Sequence, residues 1–121
     1  MENGAQERRE LERAVVVDCR ACRTLCEETL ELLVGDAHVP RDDDLVRTLM
    51  SCAAVAETTA ASVDDEQRIA AALLEFCADS CESAAAALEA HSDHDVVREC
   101  SGTCRACADT VRALLWAAYE G

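Results

Sequence analysis

Aromatic side chains are nearly missing from this 121-residue chain: Phe76, Trp116 and Tyr119 are the whole set. Proline occurs once, at Pro40, and glycine four times. Sheet proteins need frequent turn residues and strands rich in aromatic and β-branched side chains, so these shortages argue against a β architecture. Basic residues are scarce as well. Eleven Lys and Arg stand against 25 Asp and Glu, and the net charge is −14. Phosphate backbones and anionic membrane surfaces both select basic proteins, which argues against nucleic acid and membrane as partners. The charge itself reads first as solubility.

Long apolar runs are missing too. Val15, Val16 and Val17 are too few to span a bilayer. The segment Met1–Arg13 is charged and lacks the apolar stretch of a secretory signal, so a cytoplasmic location is expected. No Gly-rich phosphate loop, nucleophile elbow or paired His–Glu metal motif is present, and the expectation is a protein that is not an enzyme.

Half of the residues are apolar, mostly Ala, Val, Leu and Cys. An Ala-, Leu-, Glu- and Arg-rich chain favours helix. The length suits one domain over 1–121. Apolar spacing predicts four helices. The first runs from about Glu7 to Val34 and is closed by Gly35. The second starts behind Asp42 and Asp43, where acidic side chains face the positive end of the helix dipole, and runs to about Ala61. Ser62 and Asp65 read as a capping box for the third, which runs to about Ala90; Ser92 and Asp95 repeat that pattern for the fourth, which ends near Tyr119. All three connections are short, so the expected fold is all-α, an antiparallel up-down-up-down four-helix bundle. In that topology the first and third loops share one end.

Against this background the nine cysteines stand out. Disulfides are rare in a reducing cytosol, so metal binding or redox chemistry is the default use of so many thiols. They are Cys19, Cys22, Cys26, Cys52, Cys77, Cys81, Cys100, Cys104 and Cys107. Within each cluster they are three or four residues apart, which puts them on one helix face. The inward stripes read Leu11, Val15, Cys19, Cys22, Cys26, Thr29, Leu33 on the first helix, and Leu45, Leu49, Cys52, Ala56, Thr59 on the second. On the third they read Ala70, Leu73, Cys77, Cys81, Ala84, Leu88, and on the fourth Val97, Cys100, Cys104, Cys107, Val111, Leu114, Ala118. These are the heptad core positions of a bundle. One or two such cysteines would be small buried hydrophobes; nine on four inward stripes are not explained by packing. The expected picture is a central band of thiols between aliphatic ends, each three-cysteine cluster covering roughly 10–12 Å of axis.

Thiolates select Cu(I), Zn(II) or iron–sulfur clusters. Structural zinc sites commonly draw a ligand pair from a turn or knuckle, which is not the pattern here. Iron–sulfur clusters usually take cysteines from loops, where backbone N–H groups reach the sulfurs. A cysteine pair one turn apart on a helix suits Cu(I) best.

The stretches Cys19-Arg-Ala-Cys22-Arg-Thr-Leu-Cys26 and Cys100-Ser-Gly-Thr-Cys104-Arg-Ala-Cys107, with Cys77-Ala-Asp-Ser-Cys81, carry a resemblance. The chain resembles the cysteine-rich four-helix-bundle copper storage proteins of bacteria, whose domain carries a Cys-x2-Cys-x3-Cys repeat. The resemblance implies a thiolate-lined tube that stores several Cu(I) ions in the cytosol. Leu45, Leu49, Ala56, Ala84, Leu88, Val97 and Val111 stand where such a tube carries further cysteines, which implies a lower capacity. A discrete central cluster then stands as the alternative, either multi-copper or iron–sulfur, the latter as a small 4Fe–4S electron-transfer protein.

His38 falls in the first loop and His91 and His94 at the third, so all three are expected at one end of the bundle. The resemblance implies a role in metal uptake; solvated loop histidines are the plainer reading. Arg20, Arg23 and Arg105 alternate with the thiol clusters and are expected to pair with surface acids. Met50 lies beside the inward stripe of its helix, as ordinary packing. Copper ions or a copper-delivery partner are the expected partners. Trp116 and Tyr119 suit either a homo-oligomer contact or closure of the bundle end.

Overall fold

The computed structural model describes residues 2–35, 42–65, 68–91 and 94–120. Among these it has four helices and no strand: α1 (Glu2–Gly35), α2 (Asp43–Asp64), α3 (Ala71–His91) and α4 (Asp95–Leu115). A π-helical turn, Trp116–Glu120, continues α4. None of the helices is long and apolar enough to cross a membrane. Helix α1 packs on α2 and α4, and α3 packs on the same two, so the four stand in a square.

The pairing is antiparallel, and ion pairs record the register. Arg20 reaches Asp64 while Arg23 reaches Glu57, so α1 and α2 run in opposite directions. Arg112 meets Asp79 and Arg105 meets Glu89, which fixes the same relation between α3 and α4. All these side chains are largely exposed, and pairs of this kind contribute at most about 1 kcal/mol each. The buried stripes hold the bundle.

Those stripes follow the heptad pattern. Val15, Leu33, Leu45, Leu49, Leu88, Val97, Val111 and Leu114 are buried, together with Thr29 and Thr59 and all nine cysteines. Ala53, Ala60, Ala78, Ala85 and Ala108 are buried beside them, small residues that let neighbouring helices approach. Ser101 joins them on α4, and its hydroxyl donates to the Ala85 carbonyl of α3.

The structure corrects several sequence expectations. Helix α1 begins at Glu2, a turn before Glu7. Helix α2 continues past Ala61, because Ala60 and Val63 extend its buried stripe by another turn. Ser62 therefore lies inside α2. Asp65 is its C-cap, the Asp65 amide donating to the Ala61 carbonyl, and the pair does not open α3. Helix α3 starts at Ala71, so Ala70 is exposed and precedes it; Leu74 takes the fully buried position and Leu73 is only half-buried. Ser92 lies outside the described residues. His94 caps α4 instead, its Nδ1 accepting from the Val96 amide at 3.2 Å. The α-helical part of α4 ends at Leu115, ahead of Tyr119, whose hydroxyl donates to the Ile69 carbonyl before α3. Met50 is not packed: it is 58% exposed. The N-cap of α2 is Asp42, whose Oδ1 accepts from the amides of Asp44 and Leu45.

The contrast between inward and outward positions can be measured. Leu88→Ala should lower stability by about 2–5 kcal/mol through lost burial and a residual cavity. Met50→Ala should change it by no more than about 0.5 kcal/mol. Urea denaturation of both variants checks the pair.

Candidate metal centre

Helix α1 places Cys19, Cys22 and Cys26 on its buried face, and α4 places Cys107, Cys104 and Cys100 against them in reverse order. The sulfur separations show the matching. Cys19 meets Cys107 at 3.5 Å, Cys22 meets Cys104 at 3.5 Å, and Cys26 meets Cys100 at 4.0 Å. The two clusters are therefore read against each other rung by rung. Helices α2 and α3 close the other sides. Cys52 lies 3.7 Å from Cys22 and 3.8 Å from Cys81, and Cys81 lies 4.0 Å from Cys22. Cys77 extends the array by joining Cys19 and Cys107.

All nine cysteines predicted as ligands are buried as free thiols in one connected array. Eight of their sulfurs fall in close groups that include Cys22, Cys26, Cys52 and Cys104; Cys19, Cys77 and Cys107; and Cys22, Cys81 and Cys107, while Cys100 joins the array through Cys26 at 4.0 Å. Within each group all sulfurs lie within 4.8 Å of one another. Cys22 and Cys107 each belong to two groups, so they link the array.

Burial disfavours a thiolate, and neighbouring S–H groups offset that cost unevenly. Cys22 is held well below the ordinary thiol range, chiefly by the hydrogen bond from Cys104 and then by Cys107, Cys26 and Cys52. Cys104 and Cys26 move up, each chiefly through its hydrogen bond with Cys100, since a donor must keep its proton. Cys100 and Cys52 are lowered, to about 4 and about 6, the Cys104 thiol being the main cause for both. Thiols favouring deprotonation thus sit beside thiols that retain protons. The flanking arginines are occupied elsewhere, as expected: Arg20 by Asp64, Arg23 by Glu57 and Arg105 by Glu89, all at the surface. A soft cation inside the array would supply the compensating charge.

Two hydroxyls bracket the band, and the sequence reading placed both on the inward stripes without assigning them a role. Thr29 lies one turn beyond Cys26, and its buried hydroxyl has no hydrogen-bond partner among the described residues. Thr59 lies at the other end of the band, its hydroxyl donating to the Val55 carbonyl at 2.7 Å. Hydroxyls on a stripe of thiols are the available signal, and they read equally well as ordinary small core residues.

Two of the three histidines are among the described residues. His91 is half-buried, with Nδ1 3.9 Å from Asp42 Oδ2, so the end of α3 does meet the start of α2 at one end of the bundle. His94 is committed to capping α4. His38 lies outside the described residues. By the α1–α4 register, Leu33 and Val97 lie between Cys100 and the end that carries His91 and His94, with Leu45, Leu49 and Leu88 on the other helices.

The profile of the copper storage protein family matches residues 8–116. The chain belongs to the copper storage protein family. Two solved structures are similar to this copper storage family member. One is the Cu(I)-bound copper storage protein BsCsp3, at 21% identity and a TM-score of 0.78, covering 86% of this chain and 97% of the other. The second is a protein from Nitrosospira multiformis, at 27% identity and a TM-score of 0.74, covering 88% and 95% respectively. No curated protein matches the chain.

The linking position of Cys22 sets an expectation. Cys22→Ser should remove more than one equivalent of Cu(I) from the titrated capacity, whereas Cys100→Ser, at the edge of the band, should remove at most one. Anaerobic titration of both variants against a chromophoric Cu(I) chelator makes the comparison.

Proposed function

We propose that this protein stores or buffers Cu(I) as cytoplasmic cargo, held by the nine thiols from Cys19 to Cys107, and that it catalyses no reaction of its own. The observation that carries this reading is the continuous array of free thiols, all buried and spaced for sulfur bridging between ions. Cu(I) accepts two or three thiolates, and bridging sulfurs such as Cys22 let neighbouring ions share ligands. Family membership supports the copper assignment. The aliphatic residues at both ends of each stripe support a smaller load than a tube lined from end to end. The iron–sulfur alternative is not favoured: these cysteines lie in helix interiors, whose backbone N–H groups are spent on the helix and cannot reach the sulfurs.

Loading replaces each ligand's proton with copper, so affinity falls as the solution is acidified. A delivery partner would present Cu(I) at the surface, and the buried thiols would become accessible by local opening of the bundle. The reduced chain should bind several equivalents of Cu(I) with near-ultraviolet thiolate-to-copper absorption. Fewer than one ion bound in competition with a chelator would overturn the assignment.

The end that carries His91 and His94 is the candidate uptake mouth, and His38 precedes by four residues Asp42, which meets His91 there. Replacing the three by alanine should slow copper loading, followed by stopped-flow absorbance, and leave the final capacity unchanged. Unaltered loading rates would retire this role.

A further inference from the structure

The three thiol groups differ in a way that matters for metal choice. Two are triplets, and one is a quartet drawn from three helices: Cys22 and Cys26 on α1, Cys52 on α2 and Cys104 on α4. A zinc–thiolate bond of about 2.3 Å places tetrahedral sulfurs about 3.8 Å apart. In the quartet, Cys22 stands 3.5 Å from Cys104 and 3.7 Å from Cys52, and Cys26 stands 3.9 Å from Cys104. The remaining pairs are within 4.8 Å. The sulfurs thus already stand near the edge lengths of a tetrathiolate cage, with no water-exposed side. The sequence pattern does not show this. Zinc ligands are sought as local pairs on turns, whereas these four are gathered by packing.

We infer that Cys22, Cys26, Cys52 and Cys104 form a closed tetrahedral site for one divalent d10 ion, Zn(II) or its analogue Cd(II), which the copper-free protein holds and which Cu(I) displaces. The inference rests on the reading of the core as a metal centre and adds a second cargo class to it. Loading the metal-free chain forms four metal–sulfur bonds and releases the quartet's thiol protons to solvent. One divalent ion with four thiolates leaves two negative charges on the site. Two Cu(I) ions with the same four thiolates leave the same two charges. Exchange of one Zn(II) for two Cu(I) therefore moves no proton and changes no oxidation state, so the buried charge stays constant. The triplets lack the fourth sulfur that a closed tetrathiolate site needs, and they suit Cu(I), which accepts two or three thiolates.

Co(II) reports such a site, because tetrahedral tetrathiolate coordination gives intense visible d–d bands. The reduced, metal-free full chain titrated anaerobically with Co(II) should develop these bands to saturation at one equivalent, and one equivalent of Zn(II) should bleach them. Cys26→Ser and Cys52→Ser should each abolish the tetrathiolate spectrum. Cys77→Ser, outside the quartet, should keep it while lowering copper capacity. Circular dichroism would confirm that each variant is folded, and either quartet variant alone suffices for the test. Absence of tetrahedral bands from the wild-type chain, bands unchanged in a folded quartet variant, or bands lost equally in folded Cys77→Ser would overturn the inference. Cu(I) titration of the same sample separates the two readings. Copper bound without a cobalt signal sinks the divalent site alone, and a chain that binds neither metal sinks the copper assignment with it.

Discussion

The antiparallel register of α1 against α4 governs the rest of this molecule. Because the two helices run in opposite directions, a cysteine spacing of three then four on one meets four then three on the other, and each sulfur finds a partner at its own level. A slip of one turn would set Cys19 or Cys26 against a valine and break the array into isolated pairs. The register is held by large aliphatic side chains above and below the thiols, while the thiols themselves add little cohesive area. Val15, Leu33, Val97 and Val111 are thus as necessary to the metal centre as the ligands they flank.

Charge is distributed to match. The surface is strongly acidic, and Arg20, Arg23, Arg105 and Arg112 are spent in ion pairs between neighbouring helices. Inside, thiols that favour the charged form alternate with thiols that keep their protons. Such an interior is neutral enough to fold as a core of small hydrophobes, yet it gains an uncompensated acceptor with every proton removed. A soft cation resolves that conflict better than any side chain present, because it reaches several sulfurs at once and needs no backbone donor.

Much of this was readable from residue spacing. Steps of three and four placed every cysteine on a buried stripe, and aliphatic residues on either side showed that the thiols form a band. Helix ends were read less well, for a local reason. Ser62 and Asp65 have the composition of an N-cap, but burial of Val63 is worth more than that cap and carries α2 through them. At α4 the cap is His94, an uncommon residue for that place. The gathering of Cys22, Cys26, Cys52 and Cys104 into a quartet depends on rotamers and on lateral packing of the helices, neither of which leaves a periodic trace.

The aliphatic layer formed by Leu33, Leu45, Leu49, Leu88 and Val97 gives the bundle a stopper as well as a seam. Cargo behind a stopper of packed hydrocarbon is released on the timescale at which that end of the bundle breathes. Residence time inside the protein then depends on helix-end stability as well as on the strength of the metal–sulfur bonds. Ordinary core packing at one end of the fold thereby acts as a clock for the metal at its centre.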